Sequence, residues 1–169
     1  MSIILFNKSY SKDIKILDLS LSQIKEISNE LQIFARLTAL TLSGNFIEII
    51  PDFLCNNFPN LNHLYLTHNY IKNIPDSIGN LISLQTLHIY HNEISNIPIP
   101  IINLIHLTKF DYSNNPIEYI SPIVQRFLDK IENKGNCKKN IYSDSQNVHV
   151  RSIQKSVRDS IVKILANKN

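Results

Sequence analysis

The chain has 169 residues and a formal net charge of +3 at pH 7, with 43% hydrophobic and 18% charged residues. This length suits one domain of roughly 100–200 residues, and the apolar content excludes an intrinsically disordered chain. Its three glycines are isolated from one another and it has two cysteines, which excludes a glycine-rich phosphate loop, a dinucleotide fingerprint, a thiolate zinc site and a disulfide framework.

The N-terminal segment contains one short apolar run, Ile3 to Phe6, and no basic residue precedes it. This run is too short for a secretory signal, and no apolar stretch of the sequence approaches the roughly 20 residues that span a bilayer. The sequence therefore predicts a cytoplasmic protein whose cysteine thiols are free.

From residue 14 onward the sequence repeats itself. Five segments share one pattern of apolar residues, and the last four share an asparagine: IKILDLSLSQI (Ile14 to Ile24), LTALTLSGNFI (Leu37 to Ile47), LNHLYLTHNYI (Leu61 to Ile71), LQTLHIYHNEI (Leu84 to Ile94) and LTKFDYSNNPI (Leu107 to Ile117). Their starts lie 23, 24, 23 and 23 residues apart. Between them an Ile-Pro pair recurs at one phase, at Ile50-Pro51, Ile74-Pro75 and Ile97-Pro98. Self-similarity at this period predicts a solenoid.

The pattern resembles the leucine-rich repeat, L-x-x-L-x-L-x-x-N-x-L, over about residues 14–128. The Ile-Pro pairs resemble the short I-P-x-x-I-x-x-L class, of roughly 23 residues, that is found in cytoplasmic proteins. The resemblance implies an α/β fold, a solenoid that curves as a right-handed horseshoe arc. Its concave face is a parallel β-sheet, its convex face consists of short helical or irregular segments, and a helical cap is expected at the C-terminal end.

The residues themselves explain such a shape, because no single unit can bury its apolar edge and neighbouring units must stack. We expect the alternating apolar side chains of each strand to point inward: Leu40 and Leu42, Leu64 and Leu66, Leu87 and Ile89, and Phe110 and Tyr112. From the outer side we expect the core to be closed by Leu54, Ile78, Ile101 and Val124.

The repeated asparagines are Asn45, Asn69, Asn92 and Asn115. They fall where the chain leaves each strand and turns inside the stack. Buried backbone groups at such a turn need partners, and an asparagine amide offers both donors and an acceptor. We therefore predict that these residues form a structural asparagine ladder without any activity of its own.

The C-terminal part differs from the repeats in pattern and in charge. Helical spacing of apolar residues continues through Ile131, a polar stretch follows from Glu132 to Asn147, and a last amphipathic pattern runs from Val150 to Ile164. Residues 126–169 carry ten basic and four acidic side chains, against seven and ten in residues 1–125. Because a solenoid needs capped ends, we divide the chain into an N-terminal cap (1–13), a solenoid of five repeats (14–128), and a polar linker with an amphipathic helix (129–169).

Three roles remain open for that C-terminal helix. It can fold back as the cap of the stack, it can dock into a groove of a partner protein, or its basic residues can face anionic lipid or nucleic acid. The absence of aromatic residues among its apolar and basic positions weakens the lipid and single-strand interpretations.

A candidate binding surface follows from the resemblance, because ligands of this family commonly bind the outward positions of the concave sheet. Four of the six histidines and two tyrosines converge on repeats three and four. The predicted protein-binding residues are His63, Tyr65, Thr67, His68, Gln85, His88, Tyr90, His91, Lys109 and Asp111. Tyrosine is enriched in interface hot spots, which favours protein recognition at this surface.

Other interpretations of this surface stay open. It can be a plain solvated face, since β-propensity favours tyrosine and threonine. His68 and His91 share one column on adjacent strands and could meet a common metal ion, although no nearby carboxylate or thiolate supplies further ligands. Tyr65 beside His88 could form an acid–base pair, but an open sheet face excludes little water and offers no evident oxyanion donors.

The sequence thus predicts a monomeric, non-enzymatic module, without cofactor or metal, that binds another protein through its concave face. It would act as an adaptor, scaffold or regulator. Resemblance to cytoplasmic family members suggests signalling partners such as small GTPases or phosphatases, and no residue selects among them. The alternative is a targeting or anchoring protein whose basic C-terminal helix engages membrane or nucleic acid.

Overall fold

Short parallel strands recur at the period of the sequence pattern and pair side by side in one sheet. The computed structural model describes residues 2–5, 8–132 and 137–138. In these residues, a hairpin of two antiparallel strands precedes a sheet of six parallel strands in chain order. The strands are β1 (Ser2–Leu5), β2 (Lys8–Ser11), β3 (Ile16–Asp18), β4 (Ala39–Thr41), β5 (His63–Tyr65), β6 (Thr86–His88), β7 (Lys109–Asp111) and β8 (Cys137–Lys138).

The register of the sheet aligns equivalent positions of successive repeats. Leu40 pairs with Leu64, Leu64 with Leu87, and Leu87 with Phe110. Because side chains alternate across a strand, these residues and those two positions further on share the inner face. All eight inward residues that the sequence predicts are buried, with at most 3% of any side chain exposed. The expected parallel sheet and its inward set are therefore confirmed.

The outer face consists of short helices, one after each strand from β3 to β7. They are three 3-10 helices, Asn29–Ile33, Asp76–Asn80 and Ile99–Asn103, and two α-helices, α1 (Asp52–Asn56) and α2 (Pro122–Glu132). A proline with extended backbone stands directly before three of them, at Pro51, Pro75 and Pro98. Proline fixes φ where the next turn begins and has no N–H to leave unpaired. Leu54, Ile78, Ile101 and Val124 are fully buried, as predicted.

The asparagine side chains connect each repeat to the one before it. The Nδ2 group of Asn92 donates to the carbonyl oxygens of Leu66 and Ile89 at 2.9 Å each. Its Oδ1 atom accepts from the backbone N–H of Ile71 at 3.0 Å. Asn45, Asn69 and Asn115 make equivalent bonds, each spanning two repeats. At each buried turn, some backbone groups no longer pair with a neighbouring strand. The asparagine amide provides their hydrogen-bond partners.

The N-terminal hairpin lies in the segment that the sequence predicts as a cap. Its second strand carries Tyr10, whose ring meets Phe34 edge to face with the ring centroids 6.1 Å apart. Tyr10 is half-buried against the core, and the N–H of Ile14 bonds the carbonyl of Ser11 at 3.2 Å. Tyr10 thus packs against the apolar end of the first repeat.

The C-terminal end agrees with the sequence interpretation in one detail and departs from it in another. Helix α2 runs to Glu132, in agreement with the helical spacing of apolar residues through Ile131. Strand β8 then pairs with β7 inside the stretch predicted as polar linker. Strand addition uses backbone groups of an open sheet edge, so side-chain patterning gives no signal for it. The predicted helix at 150–164 lies outside the described residues.

None of the helices in the described ranges combines the length and the hydrophobicity that a membrane crossing requires.

Replacing Asn92 by alanine tests the ladder. The substitution leaves two buried carbonyls and one buried N–H with fewer partners, and we expect it to lower the free energy of unfolding by about 2–4 kcal/mol. Urea denaturation followed by circular dichroism measures this loss. Asn96 is exposed and serves as the matched control, for which Asn96→Ala should change stability by less than about 0.5 kcal/mol. Equal effects of the two substitutions would contradict the assignment.

Candidate functional site

The outward positions of β5, β6 and β7 form rows of side chains across the sheet. Tyr65 lies beside His88 in register, and His88 lies beside Asp111. In the row that begins at His63, the neighbours are Thr86 and Lys109. The strands repeat at roughly 4.8 Å, so residues far apart in the chain become close neighbours on one face.

Five aromatic side chains of repeats three and four are in mutual contact, and we call them the ring cluster: Tyr65, His68, His88, Tyr90 and His91. Tyr65 meets His88 edge to face at a centroid distance of 5.2 Å, and His68 meets Tyr90 likewise at 5.3 Å. His68 and His91 lie 4.5 Å apart with their planes 31° from parallel. Tyr90 also contacts His88 at 6.3 Å and His91 at 5.6 Å. The contacts hold the rings in one continuous array.

The other predicted binding residues contribute unequally to this face. Gln85 and Lys109 are exposed, and His63 is half-buried. Thr67 and Asp111 are only 5% and 8% exposed, so they offer little surface to a partner. The Nδ1 atom of His63 is buried without a hydrogen-bond partner among the described residues. None of these five residues belongs to the ring cluster.

Two histidines of the cluster occupy a backbone position that L-amino acids rarely adopt. The residue directly before the ladder position has a positive φ in all five repeats: Leu21 (53°), Gly44 (68°), His68 (54°), His91 (55°) and Asn114 (55°). We call these residues the left-handed column. Histidine, asparagine and glycine tolerate this conformation better than most residues, whereas leucine is strained there. The turn therefore fixes the direction in which the side chains of His68 and His91 leave the backbone.

A side-chain contact joins two members of this column. The Nδ2 atom of Asn114 lies 3.0 Å from Nε2 of His91. His91 is exposed, so its imidazole lies at the surface of the cluster.

The arrangement supplies aromatic surface together with O–H and N–H groups. Within the described part of the chain, no three histidine, cysteine, aspartate or glutamate side chains come together as metal ligands. Tyrosine rings are enriched among the residues that dominate protein interfaces.

Sequence reasoning missed a second surface, on the side of the solenoid where each strand has ended. Phe46 and Tyr70, which directly follow the ladder residues Asn45 and Asn69, stack with their rings 8° from parallel and 6.1 Å apart. They line an open groove of about 790 Å³ together with the exposed Ile49. An aromatic residue at the same position of two successive repeats is the sequence feature that could have predicted this surface.

The thiol of Cys55 is shielded from solvent. Cys55 lies in α1 and is 1% exposed. Burial raises the pKa of its thiol to about 11, while a hydrogen bond with Ser77 lowers the pKa and the carboxylate of Asp52 raises it. A protonated, buried thiol is a poor nucleophile.

Comparison with known proteins identifies similar repeats. Residues 35–94 match a family model described as leucine rich repeat. "MAP kinase phosphatase with leucine-rich repeats protein 3" of Dictyostelium discoideum is 36% identical, over 46% of this chain and 12% of its own length. A solved leucine-rich repeat protein of Leptospira interrogans is 31% identical with a TM-score of 0.65, over 76% of this chain and 32% of its own. The BIR2 ectodomain of Arabidopsis thaliana is 30% identical with a TM-score of 0.58, over 66% and 59%. The chain thus spans less than two thirds of each of these proteins.

Leu21→Asn tests the left-handed column. Leu21 is 81% exposed, so its replacement removes little buried apolar surface. Relief of the strained φ should raise the free energy of unfolding by about 0.5–1 kcal/mol, measured by thermal and urea unfolding. The matched control is Leu21→Val, which places a β-branched residue at the same φ and should lower stability. If both variants were destabilised alike, the strain at this position would be refuted.

Thiol labelling tests the state of Cys55. In a Cys137→Ser background at about pH 8, we expect a thiol reagent to react with Cys55 slowly in the native protein and rapidly after denaturation. The rate is followed by absorbance, and Cys55→Ser gives the blank. Rapid labelling of the native protein would show that the thiol is accessible and ionised.

Proposed function

We propose that this chain, which is a leucine-rich repeat protein, is a non-enzymatic module that binds another protein through the concave face of its sheet. The ring cluster is the observation that carries the proposal. Tyrosine is enriched among the residues that dominate interface energetics, and aromatic rings bury a large apolar area when a partner covers them.

Rigidity of the cluster supports the same conclusion. Its rings hold one another at centroid distances between 4.5 and 6.3 Å. The backbones of His68 and His91 are fixed by the turn of the solenoid. Side chains that are ordered before binding lose less conformational entropy on association. We therefore expect the cluster to form the centre of the interface, with Gln85 and Lys109 at its rim.

Two observations support a non-enzymatic role: the open surface of the sheet and the similarity to leucine-rich repeats. Leucine-rich repeats generally serve as protein-interaction modules. The similarity to the phosphatase-named protein covers 12% of that protein's length and gives no reason to assign its activity here. We propose an adaptor, scaffold or regulator that acts as a monomer in the cytoplasm, a compartment whose reducing conditions suit the buried free thiol of Cys55.

A second candidate function is targeting, in which the basic C-terminal segment engages membrane or nucleic acid. The ten basic and four acidic side chains of residues 126–169 favour it. Binding to a polyanion falls steeply with ionic strength, whereas binding centred on tyrosine and histidine falls less. Salt dependence of partner binding therefore separates the two functions.

The double substitution Tyr65→Ala/Tyr90→Ala tests the proposal. Both tyrosines lie on the open face and are half-buried, so their removal should abolish capture of the partner from cytoplasm while thermal unfolding changes little. Quantitative affinity capture with the full chain measures the loss. Tyr119→Ala is the matched control, because Tyr119 is 49% exposed and does not belong to the cluster.

The alternative outcomes are separable. Unfolding of the double variant would show that the tyrosines belong to the core. Capture that survives the double substitution but is lost in Tyr70→Ala would place the interface in the groove beside Phe46 and Tyr70. Capture that depends on residues 126–169 alone and fails at high salt would support targeting.

A further inference from the structure

The left-handed column forms a stack of side chains across repeats three, four and five. The imidazoles of His68 and His91 lie with their ring centroids 4.5 Å apart, and the Nδ2 atom of Asn114 lies 3.0 Å from Nε2 of His91. All three residues have nearly the same backbone angle, with φ of 54° or 55°. Their side chains therefore leave the backbone in the same direction, and each contacts the next.

The stack does not continue into repeat two. Gly44 occupies the column there and has no side chain. The side chain of Leu21 reaches into the place that a Cβ atom at Gly44 would take, which lies 2.5 Å from the Cδ2 atom of the leucine. The column therefore gives His68 a side-chain neighbour in repeat four and none in repeat two. Support for the stack from within the column has to come from repeat five.

Asn114 is suited to anchor the stack at that end. It is half-buried, whereas His68 and His91 are exposed. An exposed side chain keeps its rotamer freedom unless a contact restrains it. An asparagine amide has both donors and an acceptor, so by rotation it can bond a ring nitrogen with or without a proton. The contact can therefore restrain the imidazole of His91 in either tautomer.

Tyr90 connects the anchored imidazole to the rest of the ring cluster. Its ring contacts His68 at a centroid distance of 5.3 Å and His91 at 5.6 Å, edge to face in both cases. It also contacts His88 at 6.3 Å, and His88 contacts Tyr65 at 5.2 Å. His91 thus touches two of the other rings directly, and Tyr90 connects it to the remaining two.

We infer that Asn114 is a positioning residue of the concave face, which holds the ring cluster in place for a partner through its contact with His91. This inference rests on the proposed protein-binding function and adds to it a residue of repeat five that lies outside the ring cluster. Side chains that are ordered before binding lose less conformational entropy on association. Loss of the anchor should therefore weaken binding although every ring of the cluster is still present.

A role of Asn114 in the turn alone predicts a different result. A turn with positive φ accepts glycine, which occupies the same position in repeat two. The ladder hydrogen bonds of the turn in repeat five come from the next residue, Asn115. If Asn114 served only the turn, Asn114→Gly would leave the imidazoles of the cluster as they are.

The test compares Asn114→Gly with the unchanged full chain. Glycine keeps the positive φ and removes only the side chain, so we expect the domain to stay folded by circular dichroism. In NMR spectra, the nuclear Overhauser contacts between the imidazoles of His68 and His91 should weaken, and the side-chain couplings of His91 should move toward rotamer-averaged values. Affinity capture of the partner should fall by about two- to tenfold, the cost of ordering one side chain on binding.

Two further variants separate positioning from direct contact with the partner. Asn114→His keeps a residue type that tolerates the positive φ, and its ring can stack on His91 as His68 does from the other side. It should restore the order of the imidazoles and most of the capture. Glu118→Ala is the matched control, because Glu118 is an exposed residue of repeat five outside the ring cluster. It should leave the imidazole spectra and the capture unchanged.

Imidazole contacts that survive in Asn114→Gly would overturn the inference. So would capture that stays low in Asn114→His although the rings are ordered, because the amide itself would then touch the partner. If capture depends on Tyr65 and Tyr90 but is unchanged in Asn114→Gly despite disordered imidazoles, the protein-binding function stands and the positioning role does not. Capture that ignores those tyrosines would overturn the proposed function itself, whatever the imidazole spectra show.

Discussion

Buried backbone groups at the turn of each repeat are the constraint on which the rest of this structure depends. A strand of three residues ends inside the stack, where its last N–H and C=O groups have no water to bond. The amide of Asn45, Asn69, Asn92 or Asn115 satisfies them and reaches into the preceding repeat. Each repeat is therefore ordered by its neighbour. This coupling keeps the strands in register and makes one continuous surface from separate pieces of sequence.

The same turn determines what the concave face can display. Directly before each ladder position the backbone has a positive φ, and His68 and His91 occupy that position in the two repeats that also supply the tyrosines. Side chains there start from a fixed backbone angle, and their rings lie in contact at 4.5 Å. A structural requirement of the solenoid thus orders part of the candidate binding surface, at a cost in strain that Leu21 illustrates at the first repeat.

The proposed recognition surface and the apolar core lie on opposite faces of the sheet. The inner face is apolar and buried, whereas the concave face carries polar side chains and the ring cluster. Substitutions on the concave face therefore remove little of the buried core. Asp111, which lies on the concave side, is 8% exposed and accepts hydrogen bonds from the N–H and the hydroxyl of Ser113.

Much of the architecture could be predicted from the sequence. The leucine spacing, the repeated asparagine and the Ile-Pro pairs each meet a physical requirement that recurs in every repeat unit: a buried core, a buried turn and the start of the outer segment. The inward set, the outer closing residues and the rows of outward side chains follow from alternation along a strand and from a constant repeat length. The tertiary structure alone decided the ring contacts, the left-handed column, the burial of Asp111, the groove beside Phe46 and Tyr70, and the added strand β8. Those features depend on distances between side chains of different repeats and on backbone pairing at a sheet edge. The pattern of residue types along the chain specifies neither of these.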